Sequence, residues 1–107
     1  MDKETQEQIK ELQSLEQNIH NSLMQKQALQ AQLIEVNNAL KESSTSKKLY
    51  RILGPVMIET SKENLEKDLN EKKNIIELRI KSLEKQEDKL KEKAQTIQSE
   101  VVKKIKK

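Results

Sequence analysis

From Leu12 to Leu40, every seventh residue is Leu12, Ile19, Lys26, Leu33 and Leu40, and three residues beyond each of the first four stand Leu15, Ser22, Leu29 and Val36. This alternation of three and four is the heptad spacing of a helix that buries one narrow stripe against another helix. A second run follows, with Leu69, Ile76, Leu83, Leu90 and Ile97 at one heptad position and Lys73, Ile80, Glu87, Ala94 and Val101 four residues after each. Apart from Ser22, Lys26, Lys73 and Glu87 both stripes are apolar, and neither Gly nor Pro interrupts them. A stripe this narrow covers a partner helix; it does not enclose a globular core.

Composition agrees. Only 33% of the 107 residues are hydrophobic, 36% are charged, and Tyr50 is the single aromatic residue. The large side chains that fill a compact core are missing, so one small domain built from long helices is expected. The spacing predicts helix 1 over about 3–43 and helix 2 over about 61–105, each on the order of 60 Å long. Acidic-before-basic pairs four residues apart support the second: Glu63 with Lys67, Asp68 with Lys72, Glu77 with Lys81, Glu87 with Lys91 and Glu100 with Lys104.

The stretch "KESSTSKK" marks the end of helix 1, because clustered Ser and Thr hydroxyls compete for backbone hydrogen bonds. Helix 2 is expected to start near Thr60 or Ser61, where Thr60 with Glu63 fits a capping box. Folding the helices back antiparallel with Leu40 opposite Leu69 also sets Leu33 against Ile76, Leu29 against Ile80, Leu15 against Ala94 and Leu12 against Ile97. In that register Ser22, Lys26 and Glu87 fall within about one turn, and Lys26 can reach Glu87. Two readings stay open for this cluster: a polar layer that fixes register at some cost in stability, or a loosely packed wet spot.

Between the helices lies "LYRILGPVMIET", with the only Gly and the only Pro of the chain. Two short β-branched and aromatic runs around Gly54-Pro55 predict a β-hairpin over about 48–60, Gly54 supplying the positive φ of the first turn position and Pro55 the fixed φ of the second. One face would present Leu49, Arg51, Leu53, Val56, Ile58 and Thr60, the other Tyr50, Ile52, Met57 and Glu59. Both are substantially apolar, and a two-stranded hairpin is marginal alone in water. The helices available within the chain have polar outer surfaces, so another subunit is expected to cover it. Leu49, Tyr50, Ile52, Leu53, Gly54, Pro55, Val56, Met57 and Ile58 are therefore the candidate assembly element.

Several functions are excluded. A single Gly rules out phosphate-cradling loops, which need several in fixed positions. His20, the only histidine, follows seam residue Ile19 and belongs to the solvated face. Carboxylates abound without an evident pocket, and no Cys is present for thiol catalysis, disulfides or zinc-thiolate sites. No enzyme, cofactor or metal site is expected. The absence of Cys, of a secretory signal in "MDKETQEQIK" and of any membrane-length apolar segment points to a soluble, cytoplasmic protein. Although the net charge is +3, basic and acidic residues are interleaved, so a nucleic-acid partner is not expected. The basic cluster "VVKKIKK" suits the negative end of a helix dipole.

The order helix, hairpin, helix resembles a subunit of the prefoldin family. "LYRILGPVMIE" looks like the hairpin of its β class, which includes archaeal prefoldin β and eukaryotic prefoldin subunit 6. "QKQALQAQLIEVNNAL" is similar to the first helix of that class and "LEKDLNEKKNIIELRIKSLEKQEDKLKEK" to the second. "SSTSKK" departs from the acidic residues relatives often carry there, and "ETSKEN" is a local version of the hairpin exit. The resemblance implies a mainly α fold, two long helices in an antiparallel coiled coil, with one hairpin completing an intersubunit β-barrel. It further implies a hetero-hexamer of α-class and β-class subunits that binds unfolded proteins without ATP and delivers them to a group II chaperonin. Client contacts would then fall at the helix ends, on Met1, Ile9, Leu12, Leu15, Ile97, Val101, Val102 and Ile105. Of these, Ile9, Val102 and Ile105 lie off the assigned seam. The alternative is a structural coiled-coil tether or adaptor that oligomerises through the hairpin; the helices alone would serve a tether, which by itself gives no reason for a hairpin apolar on both faces.

Overall fold

The computed structural model describes residues 2–106. Its elements in chain order are α1 (Lys3–Ser43), β1 (Leu49–Leu53), β2 (Val56–Thr60) and α2 (Lys62–Lys106). The expected mainly α fold, two long helices joined by one hairpin, is the fold observed. Tertiary contacts group the residues up to Gln27 and from Lys81 onward as one unit, and Ala28–Ile80 as another.

In the first unit, three ion pairs fix the relative direction of the helices. Glu4 meets Lys104 at 3.3 Å, Glu11 meets Lys93 at 3.5 Å, and Lys26 meets Glu87 at 3.2 Å. Partners fall along α2 as residues rise along α1, so the helices are antiparallel. Beneath these pairs Leu15, Ile97 and Val101 form a buried cluster, with Ile9, Leu12, Leu90 and Ala94 packed around it. The cluster brings Leu12 together with Ile97 and Leu15 together with Ala94, in agreement with the expected register. The seam extends one heptad further than the apolar pattern showed, because Thr5, seven residues before Leu12, is buried as well. α1 begins on an Asp2 cap, whose Oδ1 accepts the Thr5 amide at 2.7 Å.

In the second unit Val36 and Ile76 are buried, while Leu29, Leu33, Leu40, Leu69, Lys73 and Ile80 are half-buried at the remaining heptad positions. Ser43, three residues past Leu40, closes the seam of α1. It is buried, and its hydroxyl donates to the Leu40 carbonyl at 2.9 Å. The following hydroxyls act alike: Ser44 donates to Lys41 O at 2.7 Å, and Thr45 and Ser46 donate to Glu42 O at 3.1 and 3.0 Å. Lys62 adds its ammonium to Ser44 O at 3.3 Å. The last carbonyls of a helix have no intrahelical donor, and a run of short hydroxyl side chains supplies one.

The start of α2 differs from expectation in one detail. Thr60 is held in β2 opposite Leu49, so Ser61 becomes the cap, its Oγ accepting the Asn64 amide at 3.2 Å. The Thr60–Glu63 capping box does not form. Strand pairing shifts the cap by one residue, which places Asn64 where the box uses the longer side chain of Glu or Gln.

Candidate assembly surface and helix ends

β1 and β2 form a two-stranded antiparallel sheet, pairing Leu49 with Thr60, Tyr50 with Glu59, Arg51 with Ile58, Ile52 with Met57 and Leu53 with Val56. Only Gly54 and Pro55 lie between the strands. Gly54 has φ of 57°, the left-handed conformation that the tight turn demands, and a side chain there would meet nothing within 4 Å. Backbone conformation rather than space selects glycine at this position.

The register puts Leu49, Arg51, Leu53, Val56, Ile58 and Thr60 on one face and Tyr50, Ile52, Met57 and Glu59 on the other, as the alternation predicted. Ile52 and Met57, paired on the second face, are 69% and 63% exposed, and Tyr50, Leu53, Val56 and Ile58 are also exposed. Among the described residues neither outer strand edge has a partner strand. Among the described residues, nothing covers the apolar side chains of these faces or pairs with the two open edges. Arg51 adds a feature with no sequence signature, an ion pair at 2.8 Å to Asp68 on α2. It links residues seventeen apart in different elements, which no periodicity reveals.

The residues expected at the helix ends divide by exposure. Leu15, Ile97 and Val101 belong to the buried cluster, and Leu12 packs against it. Ile9, expected off the seam, also packs there, because a residue flanking the seam still covers its edge. Val102 and Ile105 are exposed, beside Lys103, Lys104 and Lys106 in the last turn of α2. Met1 lies outside the described residues.

The predicted polar cluster is present. Glu87 is 7% exposed and receives Lys91 at 3.0 Å on one carboxylate oxygen and Lys26 at 3.2 Å on the other. The hydrogen bonds from Lys91 and Lys26, reinforced by their positive charges, hold its pKa below the ordinary carboxylate value. Ser22 is buried in the seam, but its hydroxyl has no partner among the described residues. Asp2 at the start of α1 is likewise held below its ordinary value, through hydrogen bonding to Thr5. His20 is exposed, as its place after Ile19 requires. No helix among the described residues is long and apolar enough to cross a membrane.

Comparison with known proteins agrees with this architecture. A family model described as prefoldin subunit matches residues 6–107. Prefoldin subunit beta of Sulfurisphaera tokodaii is 34% identical over 101 residues, covering 92% of this chain and 81% of the relative. The subunit beta of Saccharolobus islandicus is 30% identical over 101 residues, covering 92% and 80%. Among solved structures, the prefoldin beta subunit of Thermococcus strain KS-1 superposes with a TM-score of 0.87 at 29% identity, covering 94% of this chain and 90% of that one. The beta2 subunit of the same strain shares the fold, with a TM-score of 0.72 at 16% identity over 80% of this chain and 95% of that one. With a single hairpin between two heptad helices and this breadth of similarity, the chain belongs to the prefoldin subunit family, in its β class.

Proposed function

We propose that this chain is a subunit of an ATP-independent molecular chaperone, a hetero-hexamer assembled in the cytoplasm from α-class subunits and further β-class subunits. Its hairpin joins neighbouring subunits into a shared β-barrel. The ends of its helices hold unfolded or nascent proteins and pass them to a group II chaperonin. The observation that carries this reading is the hairpin: in a chain of this family, Tyr50, Ile52, Leu53, Val56, Met57 and Ile58 all face solvent, on both sides of a sheet with open edges.

For client binding, Val102 and Ile105 are the best candidates, since their apolar side chains are exposed at a helix end where backbone fraying lets them adapt to many sequences. Leu12, Leu15, Ile97 and Val101 contribute chiefly by packing beneath them. A tether or adaptor that oligomerises through the hairpin has no use for exposed apolar side chains at its helix ends, so chaperone assembly is the better reading.

Native mass spectrometry with and without an α-class subunit, followed by an aggregation-suppression assay on the complex, tests both parts. An Ile52→Lys, Met57→Lys variant is expected to remain monomeric with full helical content. A Val102→Ser, Ile105→Ser variant is expected to assemble normally and to lose most suppression of a denatured client's aggregation. Persistent monomers of the unaltered chain in every mixture would refute the assembly; unchanged suppression by the serine variant would refute the client site.

A further inference from the structure

The hairpin is joined to the two helices unequally. Five residues, 44–48, lie between α1 and β1, whereas Ser61 alone separates β2 from α2. The root of the helix pair is itself fastened, since the Lys62 ammonium donates to the Ser44 carbonyl at 3.3 Å and Val36 and Ile76 are buried in the seam. The hairpin has no such packing: Tyr50, Ile52, Leu53, Val56, Met57 and Ile58 are all exposed. Rotation about the backbone of Ser61 would swing it relative to α2, because each residue outside strand and helix contributes two soft dihedral angles.

One side-chain tie resists that swing. Arg51 Nη1 meets Asp68 Oδ2 at 2.8 Å, and among the described residues no other hydrogen bond or ion pair joins the hairpin to a helix. Ile58, the cross-strand partner of Arg51, stands three residues before Ser61, and Asp68 stands seven after it. Each spacing is about 10 Å, along a strand on one side and along a helix on the other. The ion pair therefore spans two arms of similar length that meet at Ser61, which is the geometry of a brace.

An exposed ion pair adds little to the stability of a chain, and the side chains of Arg51 and Asp68 keep 53% and 43% of their surface in water. Orientation demands less, because the pair need only favour one hairpin direction over others close to it in energy. Arg51 is also the one charged residue on the face that carries Leu49, Leu53, Val56 and Ile58. Covering that face with another subunit would take an unpaired guanidinium out of water at a heavy cost, whereas one already held by a carboxylate enters at a smaller cost.

We propose that Arg51 and Asp68 are positioning residues for assembly: their ion pair braces the hairpin against α2 and so sets the direction in which the helix pair leaves the shared β-barrel. This role rests on the reading that hairpins join the subunits, and adds to it the contact that aims them. Neither residue needs to touch a neighbouring subunit.

The test compares the unaltered chain with Asp68→Asn, Asp68→Arg and the exchanged variant Arg51→Asp, Asp68→Arg, each mixed with an α-class subunit. Far-ultraviolet circular dichroism checks that every variant keeps its helical content. Dilution followed by native mass spectrometry gives the concentration at which half of the complex dissociates, and electron microscopy of the intact complex gives the angle between neighbouring helix pairs. Asp68→Asn leaves Arg51 without its carboxylate and is expected to raise the half-dissociation concentration about tenfold and to widen the spread of angles; Asp68→Arg, which sets like charges together, is expected to do more. The exchanged variant restores opposite charges at the same two positions and should recover most of both losses. Parent values in Asp68→Asn and Asp68→Arg, or no recovery in the exchanged variant, overturn the brace while the assembly of the unaltered chain upholds the hairpin reading. A weakened complex whose helix pairs keep the parent angle assigns the ion pair to stability alone and equally overturns it. Monomers of the unaltered chain in every mixture overturn both.

Discussion

Ile75 and Ile76 are adjacent, identical residues on α2 with opposite surroundings: Ile76 is 3% exposed and Ile75 is 54% exposed. Replacing each with Ala removes the same three carbons and makes the same change in helix propensity, so propensity cancels in the comparison. At about 0.8 kcal/mol per buried carbon, complete burial of the three is worth roughly 2.4 kcal/mol. The difference in exposure assigns about half of that, roughly 1.2 kcal/mol, to the contrast between the positions. Ile76→Ala also leaves a space between the helices, which a two-helix seam partly closes by collapse, so its total cost falls near the lower end of the roughly 2–5 kcal/mol range for such truncations. Ile76→Ala is therefore expected to destabilise the chain by about 1–2.5 kcal/mol more than Ile75→Ala. The measurement is urea unfolding followed by helical circular dichroism, made in an Ile52→Lys, Met57→Lys background that keeps chains apart. Equal losses at the two positions would refute the seam assignment.

Three further outcomes follow from the structure. Gly54→Ala puts a side chain at φ of 57° with no neighbour to clash, so its cost is the left-handed backbone alone, roughly 1–2 kcal/mol, and Gly54→Asn should cost less; urea midpoints of the assembled complex report the ordering. The Lys26→Leu, Glu87→Leu variant should melt higher than the parent but lose its unique register, read as poorer oxidation of a Glu11→Cys, Lys93→Cys pair; a lower melting point with undiminished cross-linking would show that the polar layer does not specify register. Because Lys91 and Lys26 hold Glu87 below its ordinary value of 4.5, the stability from its charged form is fully present above that pH and is lost as pH falls through the lower folded-state value. Glu87→Gln should thus flatten the acid limb of a plot of melting temperature against pH, and an unchanged limb would assign it to other carboxylates.

Much of the candidate site was legible because two periods govern this chain. Heptad spacing placed Leu15, Val36, Ile76, Ile97 and Val101 in the seam, and its polar exceptions placed Lys26 beside Glu87 before any distance was known. Alternation around Gly54-Pro55 gave the hairpin its register and the sorting of its two faces. Periodicity was silent where the seam is lined by small hydroxyl residues. Thr5 and Ser43 are buried because the helix geometry carries them there, although neither looks like a core residue. Of the two starts expected for α2, Thr60 and Ser61, the Thr60–Glu63 box fails for a related reason: capping patterns are local, whereas Thr60 is held by a strand partner eleven residues earlier.

The sequence by itself determined that this chain forms two seamed helices with an apolar hairpin between them, since side-chain spacing acts through local backbone geometry that neighbouring residues share. Tertiary structure alone decided which side chains beside the seam are covered and which elements are tied together across the chain. Ile9 packs against the helix-end cluster while Val102 does not, and Arg51 crosses from the hairpin to Asp68. Those outcomes depend on the direction in which each side chain leaves its helix or strand and on what the facing element offers. That relation joins residues far apart in the chain, and only the folded arrangement of the helices and strands expresses it.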